Sequence, residues 1–304
     1  MKFPDKGTLL DLIKGSVATL TLFLAYVTFP LVGMLPGLFA PFPAIYYALK
    51  SGRTTGTAIV VVCAAVMAIM GDATFTLFFI LQSGVISLAL PAFLTSERSI
   101  ARAIAYTVSV NLAAIILLAV VYGATKGVNP HTQALKVVNT SISQVATLYQ
   151  EMGFKGDDLK TLQEGMQQAG ALIGRVYPAL LVVSLAFIVG LNLLVLTKLS
   201  GRLPALPATG DFRSFKNPEQ LVWVLIAAGF AMLVKNPHVA TAALNVLIVT
   251  VALYFIQGMA VISHFFARYA VPKFVRVIFY VLLALQFYLV VAIAALGLFD
   301  IWGD

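Results

Sequence analysis

Ile115-Ile116-Leu117-Leu118-Ala119-Val120-Val121 is the stretch that decides the fold class. A transmembrane β-strand alternates polar and apolar side chains over about 10 residues. This run does not alternate, so it reads as helix. It lies in the apolar segment 101–122, and a hydrocarbon core about 30 Å thick takes about 20 helical residues to cross. Backbone polar groups in lipid must be satisfied within the segment, which a helix does alone. The pattern recurs, and the sequence predicts nine spans at roughly 16–33, 35–49, 55–70, 74–94, 101–122, 173–198, 219–235, 239–267 and 275–297. Residues 16–49 are apolar throughout, too long for one span and short for two. Pro30, Gly33, Pro36 and Gly37 offer a turn, Pro41 and Pro43 would bend the second helix, and a broken or re-entrant helix stays open there.

Composition agrees. Of 304 residues, 61% are hydrophobic and 11% charged, against about 25% charged in soluble domains. The expected fold is therefore all-α, a polytopic transmembrane helix bundle. The net charge of +8 does not point to nucleic acid, because Lys and Arg sit in short loops between apolar runs, as orientation signals do. With the N-terminus inside, fourteen of the twenty basic residues fall on the inner side. Most of the others, Lys126 to Arg175, lie in or beside one long outer loop, where the charge rule is weakest. The expected location is a bacterial cytoplasmic membrane with a cytoplasmic N-terminus. The first apolar run lacks a convincing cleavage site and reads as an uncleaved span.

Three parts are expected: a front bundle at 1–122, an outer amphipathic hairpin at 123–172, and a rear four-span bundle at 173–304 with an inner linker at 199–218. In the hairpin, Leu135, Val138, Ile142, Val145 and Leu148 recur at helical steps, Gly153 and Gly156 interrupt, and Leu159, Leu162 and Met166 resume the stripe. It would lie on the bilayer surface, cap the bundle, or serve as a lid or docking site.

Chemistry is narrowed by elimination. There is no G-x-x-x-x-G-K-[ST], no H-E-x-x-H and no G-x-S-x-G. His131, His238 and His264 lie far apart, and Cys63 is the single cysteine. No metal and no cofactor is expected, and no catalytic residue stands out. Polar residues inside spans are costly, and they mark either a pathway or a helix contact. Asp72 either caps span four through Thr74 and Phe75 or faces a cation or amine from an outward cavity. Gln82, Asn111, Arg175 and Tyr177 either join Asp72 around that cavity or bond across helices as packing groups. In the rear, Asn192, Asn245, Gln257 and Gln286 are the interior polar residues, and Gln257-Gly258 would let another helix approach while the amide bonds to it. Ala64 with Ala68, and Gly170 with Gly174, have the small-xxx-small spacing that permits close helix contact.

Three stretches carry a resemblance. They are Gly201-Arg202-Leu203-Pro204-Ala205-Leu206-Pro207 leading through Asp211-Phe212-Arg213 to Pro218-Glu219-Gln220-Leu221-Val222-Trp223, then Tyr254-Phe255-Ile256-Gln257-Gly258-Met259-Ala260-Val261-Ile262, then Gly297-Leu298-Phe299-Asp300-Ile301-Trp302. In this order after a long amphipathic loop, they resemble the YybS-like family of predicted bacterial membrane proteins, a resemblance that implies no catalytic or ligand residue. Spans one to five, with Tyr46-Tyr47-Ala48-Leu49-Lys50, also look like the substrate-capturing S components of energy-coupling-factor transporters and like the cell-shape protein MreD. The first likeness implies solute binding without an ATPase of its own, with Ala64 and Ala68 docking on a coupling subunit. The second implies a scaffold acting through membrane-protein partners or copies of itself. An intramembrane enzyme is a third reading. The lipid bilayer is the expected partner in all three, and nucleic acid in none.

Overall fold

Helix accounts for the regular structure of this chain, and the computed structural model, which describes residues 6–71, 73–97, 99–153, 156–203, 206 and 212–303, contains no strand among them. Helix starts follow local chemistry. Asn129-Pro130-His131 and Asn236-Pro237-His238 open α8 (Pro130–Glu151) and α11 (Pro237–Arg268) in the same way. Each Asn side chain accepts the His backbone N–H, and each Pro fills the first helical position.

By contact the chain forms two units, Met1–Lys126 with Ser184–Thr209, and Gly127–Val183 with Gly210–Asp304. The first contains α1 (Lys6–Thr28), α2 (Pro30–Gly37), α3 (Phe42–Ser51), α4 (Arg53–Met70) and α5 (Ala73–Phe79). It continues with a π-helical turn (Ile80–Gly84), α6 (Val85–Ser96), α7 (Ile100–Lys126) and the second half of α9 (Gly156–Lys198). Phe23, Ala44, Ile59, Cys63, Met67 and Phe79 form its core. Helix α2 lies hard against α1, where a Cβ on Gly33 would collide with the Ala25 carbonyl. The second unit contains α8, the first half of α9, α10 (Leu221–Ala231), α11, α12 (Lys273–Leu285) and α13 (Phe287–Phe299).

The chain is a multi-pass membrane protein, and two of the nine predicted segments are not simple continuous spans. Among the described residues, seven helical segments are long and apolar enough to cross, and eight if the bent pair α12–α13 counts as one. The physical reasons are local. Helix α10 has 11 residues, about 16 Å at 1.5 Å per residue, so it covers only half a bilayer. The predicted span 275–297 breaks at Gln286, whose backbone is extended, and the two halves bend by 109°. The first span begins at Lys6, not near 16. Asp11 in its first turns is neutralised by Lys50 Nζ at 3.0 Å and receives a hydrogen bond from Ser51 Oγ. The second is one apolar segment, Val32–Ser51, interrupted by turns between α2 and α3.

A candidate polar site in the first unit

The interruption between α2 and α3 follows from proline. Pro41 and Pro43 lack the N–H groups a continuous helix would need, and residues 38–41 turn instead. Two side chains from other spans bond carbonyls of this segment. Asn192 Nδ2 donates to the Leu38 carbonyl at 2.9 Å, and Ser87 Oγ donates to the Pro41 carbonyl at 3.2 Å. Irregular backbone at membrane depth is tolerated only where protein or a cavity satisfies it.

The π-helical turn in the fourth span is the second irregularity. Val85 N–H donates to the Ile80 carbonyl, five residues back rather than four. The Leu81 carbonyl takes Asn111 Nδ2 from α7 at 3.0 Å. Single-turn π-helices are an extra residue in an α-helix and are frequent at functional sites.

These two irregular segments face one level of the bundle. Along α4, contacts with the fourth span run from Gly84 beside Val60 to the Thr95–Arg53 hydrogen bond, so the two segments are antiparallel. Gly15 meets Ile59, and Cys63 Sγ reaches the Ser16 carbonyl. Phe23 packs edge-on against Phe79 at 5.1 Å. One helical turn from that ring pair, toward Ser16, lie Thr19 on α1 and Ser83 in the π-helical turn. Among the described residues, seven buried side-chain oxygens have no hydrogen-bond partner, and six belong to this unit: Ser16 Oγ, Thr19 Oγ1, Gln82 Oε1, Ser83 Oγ, Asn111 Oδ1 and Asn192 Oδ1. Thr19, Ser83, Asn111 and Asn192 are fully buried. A buried polar atom without a partner costs about 1–3 kcal/mol, so this layer carries an unmet demand for hydrogen-bond partners.

The other expected positions fall elsewhere. Asp72 lies outside the described residues. Arg175 and Tyr177 are in the second unit. The Arg175 carbonyl accepts Asn245 Nδ2 at 2.8 Å, and Asn245 Oδ1 accepts the Ala179 N–H at 2.8 Å. Pro178 sits between them, and the Asn245 amide stands in for the bond between residues 175 and 179. The Tyr177 hydroxyl meets His131 Nδ1 at 2.9 Å, tying α8 to α9. On α4, Ala64 is half-buried and Ala68 exposed. Gln257 is fully buried and joins three segments. Its Oε1 accepts from Asn217 N–H and Nδ2 at 3.1 and 3.0 Å, and its Nε2 donates to Asp300 Oδ2 at 2.9 Å. Gly258 lies directly on the Ile293 carbonyl of α13.

Residue reading missed Ser16, Thr19, Asn217 and Asp300. Asn217 and Asp300 stand at or beside the first and third stretches that carry the family resemblance, and their convergence on Gln257 in the second was the available signal. Ser16 and Thr19 gave none, since isolated hydroxyls are ordinary in spans.

The sequence pattern of a family described as "Predicted membrane protein (DUF2232)" matches residues 17–301. The chain is similar to the "Uncharacterized protein YybS" of Bacillus subtilis (strain 168), at 25% identity over 287 residues, covering 93% of this chain and 91% of that protein. No solved structure matches.

Proposed function

This chain belongs to the DUF2232 family of predicted membrane proteins, and we propose that it is a solute-binding transport component of the S-component type, with no ATPase of its own. The observation that carries the reading is the set of buried, unpartnered oxygens in the first unit, two of them on amides that bond the π-helical turn and the broken second span. Packing residues would be expected to complete their own hydrogen bonds, as Gln257 does in the second unit. Discontinuous helices near the bilayer midplane are where secondary transporters hold substrate. Asp72, Arg175 and Tyr177 remain proposed substrate-binding residues. The exposed α4 side chains Val61, Ala68 and Ile69 offer a face for a coupling partner. The protein sits in the bacterial cytoplasmic membrane with its N-terminus cytoplasmic.

Native mass spectrometry of the intact chain, released from its own membrane, tests this. The expected result is a bound small molecule that is lost in Gln82→Met and Asn192→Ala. Lipid adducts alone, unchanged in both variants, would refute the reading.

A second reading, a non-catalytic MreD-like scaffold, is favoured by one observation. Helix α9 has 43 residues, more than the about 20 that cross a hydrocarbon core. Its first half carries α8 alongside, with Ile142 over Gly170 and Leu135 over Gly174. This two-helix arm would be the docking element. Copurification in mild detergent that yields the chain alone would count against it.

A further inference from the structure

We propose that the ligand of the polar layer is a hydrogen-bond donor, a solute presenting more than one N–H, and not an anion; this rests on the solute-binding reading and names its substrate class. The argument is the orientation of the amides. Asn192 has two N–H donors, and its Nδ2 faces two carbonyls, Leu38 at 2.9 Å and Ile188 at 2.8 Å. Asn111 Nδ2 faces the Leu81 carbonyl at 3.0 Å. Reversing either amide would set oxygen against carbonyl oxygen, so the network assigns the orientation. The backbone therefore takes the donors, and what each side chain leaves unpartnered is an acceptor, Asn111 Oδ1 or Asn192 Oδ1. Gln82 Oε1 is a third acceptor, and the hydroxyls of Ser16, Thr19 and Ser83 both donate and accept.

Charge points the same way. Two basic side chains of this unit are engaged at the opposite end of their helices, Lys50 with Asp11 and Arg53 with Thr95 and the Ala92 carbonyl. An anion in the layer would meet lone pairs fixed by the fold. Two of the amide oxygens are held by different anchors, the Leu81 and Leu38 carbonyls, on separate spans, which suits a molecule with more than one N–H.

The experiment is thermal unfolding of the full chain in lipid nanodiscs with matched probes. Propylammonium is paired with trimethylpropylammonium, and propionamide with N,N-dimethylpropionamide, with propionate and sodium chloride alongside. The N–H-bearing member of each pair should raise the melting temperature, and its methylated partner, propionate and sodium should not. Gln82→Met removes one acceptor that holds no bond in the fold. By removing an unpartnered buried oxygen it should raise the solute-free melting temperature, and it should weaken propylammonium about tenfold, the effect of one lost hydrogen bond of about 1.4 kcal/mol. Equal stabilisation by a methylated partner, by propionate or by sodium would overturn the donor assignment and leave solute binding standing. If no probe acts, the molecule retained in native mass spectrometry decides. A retained molecule without N–H groups overturns the donor assignment alone, and retention of none overturns solute binding with it.

Discussion

Single side chains in this protein replace backbone bonds that proline or irregular turns remove. Asn245 is the clearest case. It takes the Ala179 N–H and gives its own N–H to the Arg175 carbonyl, the two groups that Pro178 separates. Asn245→Leu keeps the size and strands both, so stability should fall by about 1–3 kcal/mol, read by unfolding in mixed micelles. Gln257→Leu should loosen the segment at 212–217 on α11, because Asn217 and Asp300 lose their shared partner and Asn217 keeps only the Leu253 carbonyl. Faster tryptic cleavage at Arg213 or Lys216 in the folded protein would report it, and an unchanged rate would contradict it. Gly258→Ala places a methyl group on the Ile293 carbonyl, and backbone cannot move aside as a side chain can. A loss of about 1–3 kcal/mol is expected from such overpacking. Gly229→Ala on α10, with open space around it, should be neutral or stabilising.

At the scale of elements, the irregular segments are the informative ones. The π-helical turn adds one residue to the fourth span, which sets the phase between α5 and α6. Deleting Leu81 would restore ordinary four-residue pairing and rotate α6 by about 100° against α5, the turn per residue of an α-helix. Ser87 would then leave the Pro41 carbonyl. This deletion should abolish the cooperative unfolding transition, whereas Asn111→Leu, which only strands the Leu81 carbonyl, should lower stability by about 1–3 kcal/mol. Equal effects would mean that the π-helical turn does not set the register. The element boundaries were partly legible beforehand. The prolines at 36, 41 and 43 announced a broken second span. The break at Gln286 was not legible. An apolar run reads the same whether its halves are collinear or bent, and only packing of α13 on α11 through Gly258 and Gly297 sets the angle.

At the scale of the whole chain, topology is the testable property. With the N-terminus cytoplasmic and five spans before Lys126, a cysteine placed at Ser143 on α8 should react with a membrane-impermeant maleimide in intact cells. One placed at Ser200 should react only after permeabilisation. The native thiol, Cys63, is buried against the Ser16 carbonyl and should stay silent in both. The reverse pattern would invert the proposed orientation. The membrane location and helical class of this protein were determined by sequence alone. Uninterrupted apolar runs such as Ile115–Val121, with 11% charged residues, leave lipid-embedded helix as the state that satisfies both side chains and backbone. The polar candidates were also legible as residues, because Gln82, Asn111, Asn192 and Gln257 are conspicuous in apolar spans. Which of them are satisfied was decided only by tertiary structure. Asn192 reads as a rear-half residue and bonds Leu38, 154 positions away, while Gln257 meets both its partners and Asn111 keeps an oxygen unpartnered. Hydrophobic periodicity encodes how deep a segment lies. A hydrogen bond depends on which groups distant segments bring within about 3 Å of each other, and no local pattern carries that distance.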